Sequence, residues 1–452
     1  MKQTYSITQK LKQLTTILFP VLVTQIGMYA LSFFDTTMSG HYSPNDLAGV
    51  AVGSSLWTPI YTGLSGILLA LPPIISQLIG RKEEHKARFT VIQAIYLSIA
   101  MAIIILLIGY FFLDTILNLM GLSNDVKDIA YNYLIALSTG ILPIFIYFVI
   151  RSFIDSLGQT QVTMFITILA IPLNVIFNYL FIYGVGFFPE LGGVGTGYAS
   201  SITYWFMLFV AIWIVHKKEP FLSFRLSTSF SRISWKKWKE ILIIGIPIGF
   251  SVFFETSIFS AVTLLMSNYD TSTIAAHQSA INFASLLYMV PLSISTALTI
   301  LVGFEIGSSR YKDARFYSYI GVGLAIIISF ISGFLLLTFR TEIASIYTEN
   351  NKVLQLTTHF LLYAIFFQLS DAIQAPIQGA LRGYKDVNIT LIMSFISYWV
   401  IGLPSGYFLA NYTNLGPFGY WIGLIIGLAI GAVCLSSRLI YIQKRKFSYS
   451  QS

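Results

Sequence analysis

Charge is what this sequence has least of. Only 10% of its 452 residues are Asp, Glu, Lys or Arg, against roughly 25% in soluble domains. Cysteine is scarcer still. Cys434 stands alone, so no internal disulfide can form, and its place in the last apolar run assigns it to packing. The five histidines show no metal-ligand spacing, which removes a zinc site. There is no lipidation motif, no low-complexity tract, and no polar stretch long enough for a soluble domain.

What is present instead is apolar sequence, 56% of the chain. A membrane-crossing helix needs roughly 20 apolar residues to cover about 30 Å of hydrocarbon. Runs of that kind recur at Leu14–Met38, Leu47–Pro72, Val91–Leu113, Ala130–Phe153, Val162–Tyr183 and Val194–Val215. They resume at Ile241–Met266, Ile274–Gly303, Tyr317–Leu337, Gln355–Ala380, Asn388–Ala410 and Phe418–Tyr441, making twelve predicted spans. The first follows a few lysines, as a signal peptide would. It is too long for that, lacks a small-x-small cleavage site and carries Asp35 near its end, so it reads as a retained helix.

A net charge of +8 could suggest nucleic acid, but its distribution argues against that partner. Of 27 Lys and Arg, only Lys127, Arg340 and Lys352 fall on one side of the predicted spans. The rest cluster on the other, in the RKEEHKAR loop, the Lys217–Lys239 stretch and the Arg438–Lys446 tail among others. Cytoplasmic loops of membrane proteins carry this excess. It predicts a multi-pass inner (plasma) membrane protein embedded in the lipid bilayer with both termini cytoplasmic; the chain is expected to act as a monomer.

The two halves align without a gap at the separation of Gly80 from Gly307. Pro20 then falls on Pro247, Tyr61 on Tyr288, Ala70 on Ala297, and Ala87-Arg88-Phe89 on Ala314-Arg315-Phe316. The predicted fold is therefore an all-α integral membrane protein with twelve helices in two pseudo-symmetric six-helix bundles. Residues 1–215 form the first lobe, 216–240 a basic linker and 241–452 the second lobe. Six spans return the chain to its starting side, so the repeat is parallel, with an axis along the membrane normal. Related repeats of this kind are the common hardware of alternating access.

Three carboxylates sit inside apolar runs: Asp35 in LSFFDTTMSG, Glu255 in GFSVFFETSIF and Asp371 in FFQLSDAIQAP. A carboxylate at mid-membrane costs at least about 2.5–3.5 kcal/mol on insertion scales. By sequence the one basic residue within a span is Arg151, so an ion pair does not account for them. They stay protonated, bind a cation, or face a watery cavity that admits organic cations; the alternative is satisfaction by hydroxyls and amides. Glu255 and Asp371 are not repeat partners of Asp35, because the offset sets Met28 opposite Glu255 and Val262 opposite Asp35.

Asn174 and Asn178, in IPLNVIFNYL, put two amides on one helix face at i,i+4 spacing. They are the expected companions of Asp35, in a cation site, a proton site or interhelical glue. Tyr288 and Gln278 offer oxygens near Glu255, and Gln278 and Phe283 are the candidate substrate contacts. Aromatic rings attract lipophilic cations with about 0.5–2 kcal/mol each, so small organic cations are the expected substrates. His277 reads as a hydrogen-bonded helix contact, and Glu305 and Asp155 as partners of nearby bases.

At these residues the chain resembles the MATE (multidrug and toxic compound extrusion) family and its NorM-like branch. The matching segments are LFPVLVTQ, FFDTTMSGHYSPNDLAGVA, IPLNVIFNYLFIYG, GIPIGFSVFFE, IAAHQSAINF and SDAIQAPIQGALRGYKD. The resemblance implies two six-helix lobes that export cationic amphipathic drugs in exchange for sodium ions or protons. It implies no catalytic residue and no cofactor beyond the coupling ion. It carries Asp35, Asn174 and Asn178 onto a first-lobe cation site, and Glu255, Tyr288 and Asp371 onto a second. Retention of the second-lobe acids favours Na+, with Asp35, Glu255 and Asp371 as its expected ligands, over H+.

Two other classes compete. NDVKD at Asn124–Asp128 fits half of a prenyltransferase diphosphate motif, but no second aspartate-rich motif accompanies it, and it suits a helix start. A lipid-linked oligosaccharide flippase would need inward-facing bases for its anionic substrate, where these spans carry acids.

Overall fold

The structure, a computed structural model, describes residues 1, 3–224, 226 and 231–448. Lys2 and part of the basic linker therefore lie outside the described residues. Among the described residues the regular structure is entirely helical. In chain order the first half holds α1 (Ile7–Tyr42), α2 (Pro44–Leu68), α3 (Leu71–Gly80), α4 (Glu84–Leu119), α5 (Asn124–Ser138), α6 (Ile141–Ser156), α7 (Thr160–Tyr183) and α8 (Val194–Lys217). The second half holds α9 (Trp235–Met266), α10 (Thr271–Gly307), α11 (Tyr311–Tyr347), α12 (Asn351–Gly383), α13 (Asn388–Phe395), a π-helical segment Ile396–Gly402, α14 (Leu403–Tyr412) and α15 (Phe418–Ser448).

Among the described residues eleven helical stretches are long and apolar enough to cross a membrane, and α5 with α6, bent by 48°, make a twelfth when the pair is taken as one span. That bend falls at Gly140, where a Cβ would lie 2.8 Å from the Ser201 backbone, so the missing side chain admits α8. Gly184 ends α7 in the left-handed region at φ 63°, and a side chain there would also strike Glu190. Ser123 opens α5 without a side-chain cap; Asp125 occupies the first turn, and Lys127 instead pairs with Asp114 at 2.9 Å.

The chain forms two compact units. One comprises Met1 and Phe19–Gly245, the other Lys2–Leu18 and Ile246–Ser452. The sequence reading set the boundary in the linker. Here each unit instead takes the first part of a helix whose remainder belongs to the other. The junctions Leu18/Phe19 and Gly245/Ile246 are related by the same offset that aligns the halves, and each lies beside one of the matched prolines, Pro20 and Pro247.

Each unit has its own apolar core. The first is built around Leu71, Ile75, Phe145, Tyr147 and Phe153, the second around Phe360, Tyr398, Trp421 and Leu424. Apolar side chains also cover the outside. On α4, Ile103, Ile104, Leu107 and Ile108 are exposed at i, i+1, i+4 and i+5. Their repeat equivalents on α11, Phe330, Ile331, Phe334 and Leu335, are exposed as well. Water would penalise two such faces, whereas hydrocarbon accepts them.

Candidate functional site

In the first unit α1 delivers Asp35, α7 delivers Asn174 and Asn178, and α8 delivers Ser200. All four are buried. Asn178 Nδ2 donates to Asp35 Oδ1 at 2.7 Å and Asn174 Nδ2 donates to the same oxygen at 3.1 Å. Ser200 Oγ donates to Asp35 Oδ2 at 2.5 Å. Three donors on one buried carboxylate compensate a negative charge that hydrocarbon would otherwise expel. The i,i+4 spacing does this work: the two amides stand one turn apart and are themselves joined, Asn178 Nδ2 to Asn174 Oδ1, at 3.1 Å. Asn178 Oδ1 is buried without a hydrogen-bond partner. An orphaned carbonyl oxygen beside a carboxylate is what a small hard cation, or a rearranged proton, can engage. Tyr133 of α5 and Tyr204 of α8 lie within electrostatic reach of Asp35.

In the second unit Tyr288 Oη of α10 donates to Glu255 Oε1 of α9 at 2.9 Å. Asp371 of α12 is buried and repels Glu255 through space. Among the described residues no ion pair within 4 Å involves Asp35, Glu255 or Asp371. Nor do any three His, Cys, Asp or Glu side chains gather to hold a metal ion there. A monovalent cation would draw its remaining oxygens from amides, hydroxyls and backbone.

The structure does not bring every candidate together. Gln278 is exposed on α10 and has no hydrogen bond to Glu255 among the described residues. Phe283 is half-buried against the core of its unit. The amide beside Glu255 comes instead from Gln378, one helix away on α12. Arg382 is a second correction: two residues past the predicted span Gln355–Ala380 and so outside it by sequence, it is buried in the last turn of α12, because that helix runs on to Gly383. The acids of the second unit therefore do have a basic residue near them.

Sequence reasoning also missed Ser200, which looks like any small hydroxyl in an apolar helix, and the π-helical segment. There Trp399 Nε1 donates to the carbonyl of Phe254 at 3.2 Å, next to Glu255, and Gln374 donates to Tyr398. π-bulges are often found at functional sites. His277 is buried between Trp421 Nε1 at 3.0 Å and Thr263 Oγ1 at 3.1 Å, a packing arrangement. Glu305 pairs with Arg310 at 3.3 Å, and Asp155 with Arg151 at 3.5 Å.

A helical membrane protein with two repeated units, each enclosing buried acids that no base among the described residues meets in an ion pair, belongs to the polytopic transporters by its architecture. The MatE family model matches residues 20–180 and 247–408, one match in each half. The chain belongs to the MatE family. It is 56% identical over 445 residues to a probable multidrug resistance protein NorM of Halalkalibacterium halodurans, covering 98% of this chain and 97% of that protein. It is also 56% identical over 451 residues to the protein of that name in Bacillus subtilis, covering 100% and 99%. Among solved structures it resembles the eukaryotic MATE transporter AtDTX14 with a TM-score of 0.88 at 20% identity, covering 97% of each chain. An outward-facing multidrug resistance MATE transporter of the MOP superfamily gives 0.87 at 20% identity, covering 100% of each.

Proposed function

We propose that this protein is a secondary active exporter of cationic amphipathic compounds, driven by inward movement of Na+ with H+ as the runner-up. The observation that carries the reading is the pair of buried acid clusters, Asp35 with its amides and Glu255 with Asp371, each without a base in ion-pair contact. A buried acid that no base closes on in a contact ion pair keeps its oxygens available to a mobile cation. Relatives named as multidrug resistance proteins, and aromatic residues making up 15% of the chain, support organic cations as the cargo. No catalytic chemistry and no cofactor are assigned. The bilayer is the plasma membrane, with both termini cytoplasmic, on the strength of the charge asymmetry.

The two clusters would take a coupling ion differently. Glu255 and Asp371 repel, and a sodium ion between them would relieve that repulsion, with Tyr288 as a further oxygen. Asp35 accepts from three donors, and a proton arriving there would force at least one of them to turn away. Because those donors stabilise the charged carboxylate, the first unit too suits a cation that leaves Asp35 ionised, and protonation there would require the donors to rearrange. Drug efflux from proteoliposomes under separately imposed sodium and pH gradients tests both: sodium alone should drive it. Efflux driven only by the pH gradient would give the coupling to protons, and efflux driven by neither would overturn antiport.

A further inference from the structure

Five polar side chains lie buried along one face of α12: Gln368, Asp371, Gln374, Gln378 and Arg382. Their spacing of three or four residues keeps them on one stripe of the helix. The stripe opens at Gln368, bonded to Ser332 of α11, meets Glu255 through Asp371 and Gln378, and ends at a guanidinium. Arg382 makes no ion pair within 4 Å among the described residues. Its hydrogen bond is to the neutral Gln378 Oε1, from Nη2, at 3.3 Å. The main compensation for this buried cation is therefore through space, from Glu255. Isolated buried charge is costly, so such an arrangement persists where the charge has a use.

Gln378 stands between the two charges. Its oxygen holds Arg382, while its Nε2 is buried without a hydrogen-bond partner at ordinary distance and lies within electrostatic reach of Glu255. The amide is a spacer. It keeps Arg382 close enough to act on Glu255 and too far to close an ion pair.

We infer that Arg382 is a resident counter-charge for Glu255 that competes with the coupling cation, with Gln378 setting how strongly it competes. The inference rests on the proposed antiport function and names the residue that tunes it. A transporter must let its coupling ion go as well as take it, and a built-in cation one side chain away lowers the affinity enough for release. When the mobile ion leaves, Arg382 limits the cost of an uncompensated Glu255. Arg382 is a positioning residue, since it acts on the ion only through Glu255.

The test is drug efflux from proteoliposomes as a function of coupling-cation concentration, for the wild type and three variants checked for monodispersity. Arg382→Gln should lower the half-saturating cation concentration by about tenfold, the order expected when one neighbouring unit charge is removed, and should slow turnover at saturation. Arg382→Lys should keep the wild-type value. Gln378→Leu, which removes the spacer and lets Arg382 approach Glu255, should raise it. Opposite signs in neighbouring residues are not the mark of a merely structural role. An unchanged half-saturation in both Arg382→Gln and Gln378→Leu, or shifts of the same sign, would overturn the inference. If Arg382→Gln does not yield folded protein, the sign seen in Gln378→Leu decides. A wild type whose efflux answers to neither cation gradient removes the antiport reading and this inference together, whereas cation-driven efflux that the variants leave unaltered removes this inference alone.

Discussion

Asn178 donates a 2.7 Å hydrogen bond to Asp35 although 143 residues separate them. The bond joins α7 to α1, so any change in the charge of Asp35 is transmitted to a second helix. Ser200, on α8, completes the attachment from the other carboxylate oxygen. Ion binding at one carboxylate is thereby able to bias the packing of three helices.

Asp35→Asn is expected to abolish gradient-driven efflux while the protein still inserts and purifies normally. Asn keeps the shape and loses the titratable charge, so coupling should fail before packing does. Ser200→Ala removes one charge-assisted donor and is expected to cost about 1.5–3 kcal/mol of local stabilisation, weakening efflux without abolishing it. Dye accumulation in cells expressing each variant measures both. Unchanged active efflux by Asp35→Asn would reduce Asp35 to interhelical glue.

Sodium at the Glu255–Asp371 pair should stabilise the fold in proportion to occupancy. One site saturated a hundredfold above its dissociation constant contributes about 2.7 kcal/mol. The melting temperature of the purified protein should rise with sodium and not with potassium at equal ionic strength. The rise should vanish in the Glu255→Gln/Asp371→Asn double variant. A rise that survives the double variant would place the sodium elsewhere.

Outside the spans, Asp270 precedes α10 and is held down to about 2 from an ordinary 3.8, first by its hydrogen bond from Lys352 at 2.5 Å and then by Thr273. A carboxylate whose folded pKa is depressed stabilises the fold above its unfolded pKa and loses that contribution as pH falls through the folded value. The contact is therefore constant from pH 8 to pH 5 and declines from about pH 4 towards pH 2. Comparing the melting temperature of wild type and Lys352→Gln across this range reads it directly. The gap between them should be flat above pH 5 and close by pH 2; a gap that widens in acid would contradict the assignment.

Much of this was legible in sequence because hydrocarbon is an unforgiving solvent. A carboxylate such as Asp35 inside an apolar run announces itself, and two asparagines one turn apart in another run announce their shared face. The repeat was legible because Pro20 and Pro247, with the Ala-Arg-Phe triplets, recur at one offset. Ser200 was not legible, since a small hydroxyl is common in membrane helices and nothing local marks this one. Arg382 was misplaced for a physical reason: hydropathy falls before a helix ends, and α12 carries its buried polar stripe past the apolar run. The exchange of helix starts between the units depends on tertiary packing, which no local pattern encodes.

Just beyond the π-helical segment, α14 and α15 meet in a close glycine contact that can be tested from both sides. Gly423 on α15 meets Gly406 on α14, and a Cβ at Gly423 would lie 2.3 Å from the Gly406 Cα. A Cβ at Gly406 would meet its nearest neighbours, the backbone of Gly423 and Tyr420, at 3.3 Å, so far less movement is asked of them. The asymmetry is physical: the two Cα–Cβ directions differ, so only one points straight at the opposing backbone. Helices in lipid associate through close backbone approach, and overpacking such a contact typically costs about 1–3 kcal/mol. Gly423→Ala is therefore expected to lower the melting temperature clearly, and Gly406→Ala to leave it close to wild type. The consequence should reach the second acid cluster. The π segment that leads into α14 carries Trp399, bonded to the Phe254 carbonyl beside Glu255, and Tyr398, bonded by Gln374. Displacing α14 should therefore also shift the half-saturating concentration of the coupling cation in Gly423→Ala, and not in Gly406→Ala. If both alanine variants melted alike, the helices would not be in the backbone contact seen here. If Gly423→Ala were destabilised with cation dependence unchanged, the π segment would be packing alone, with no hold on Glu255.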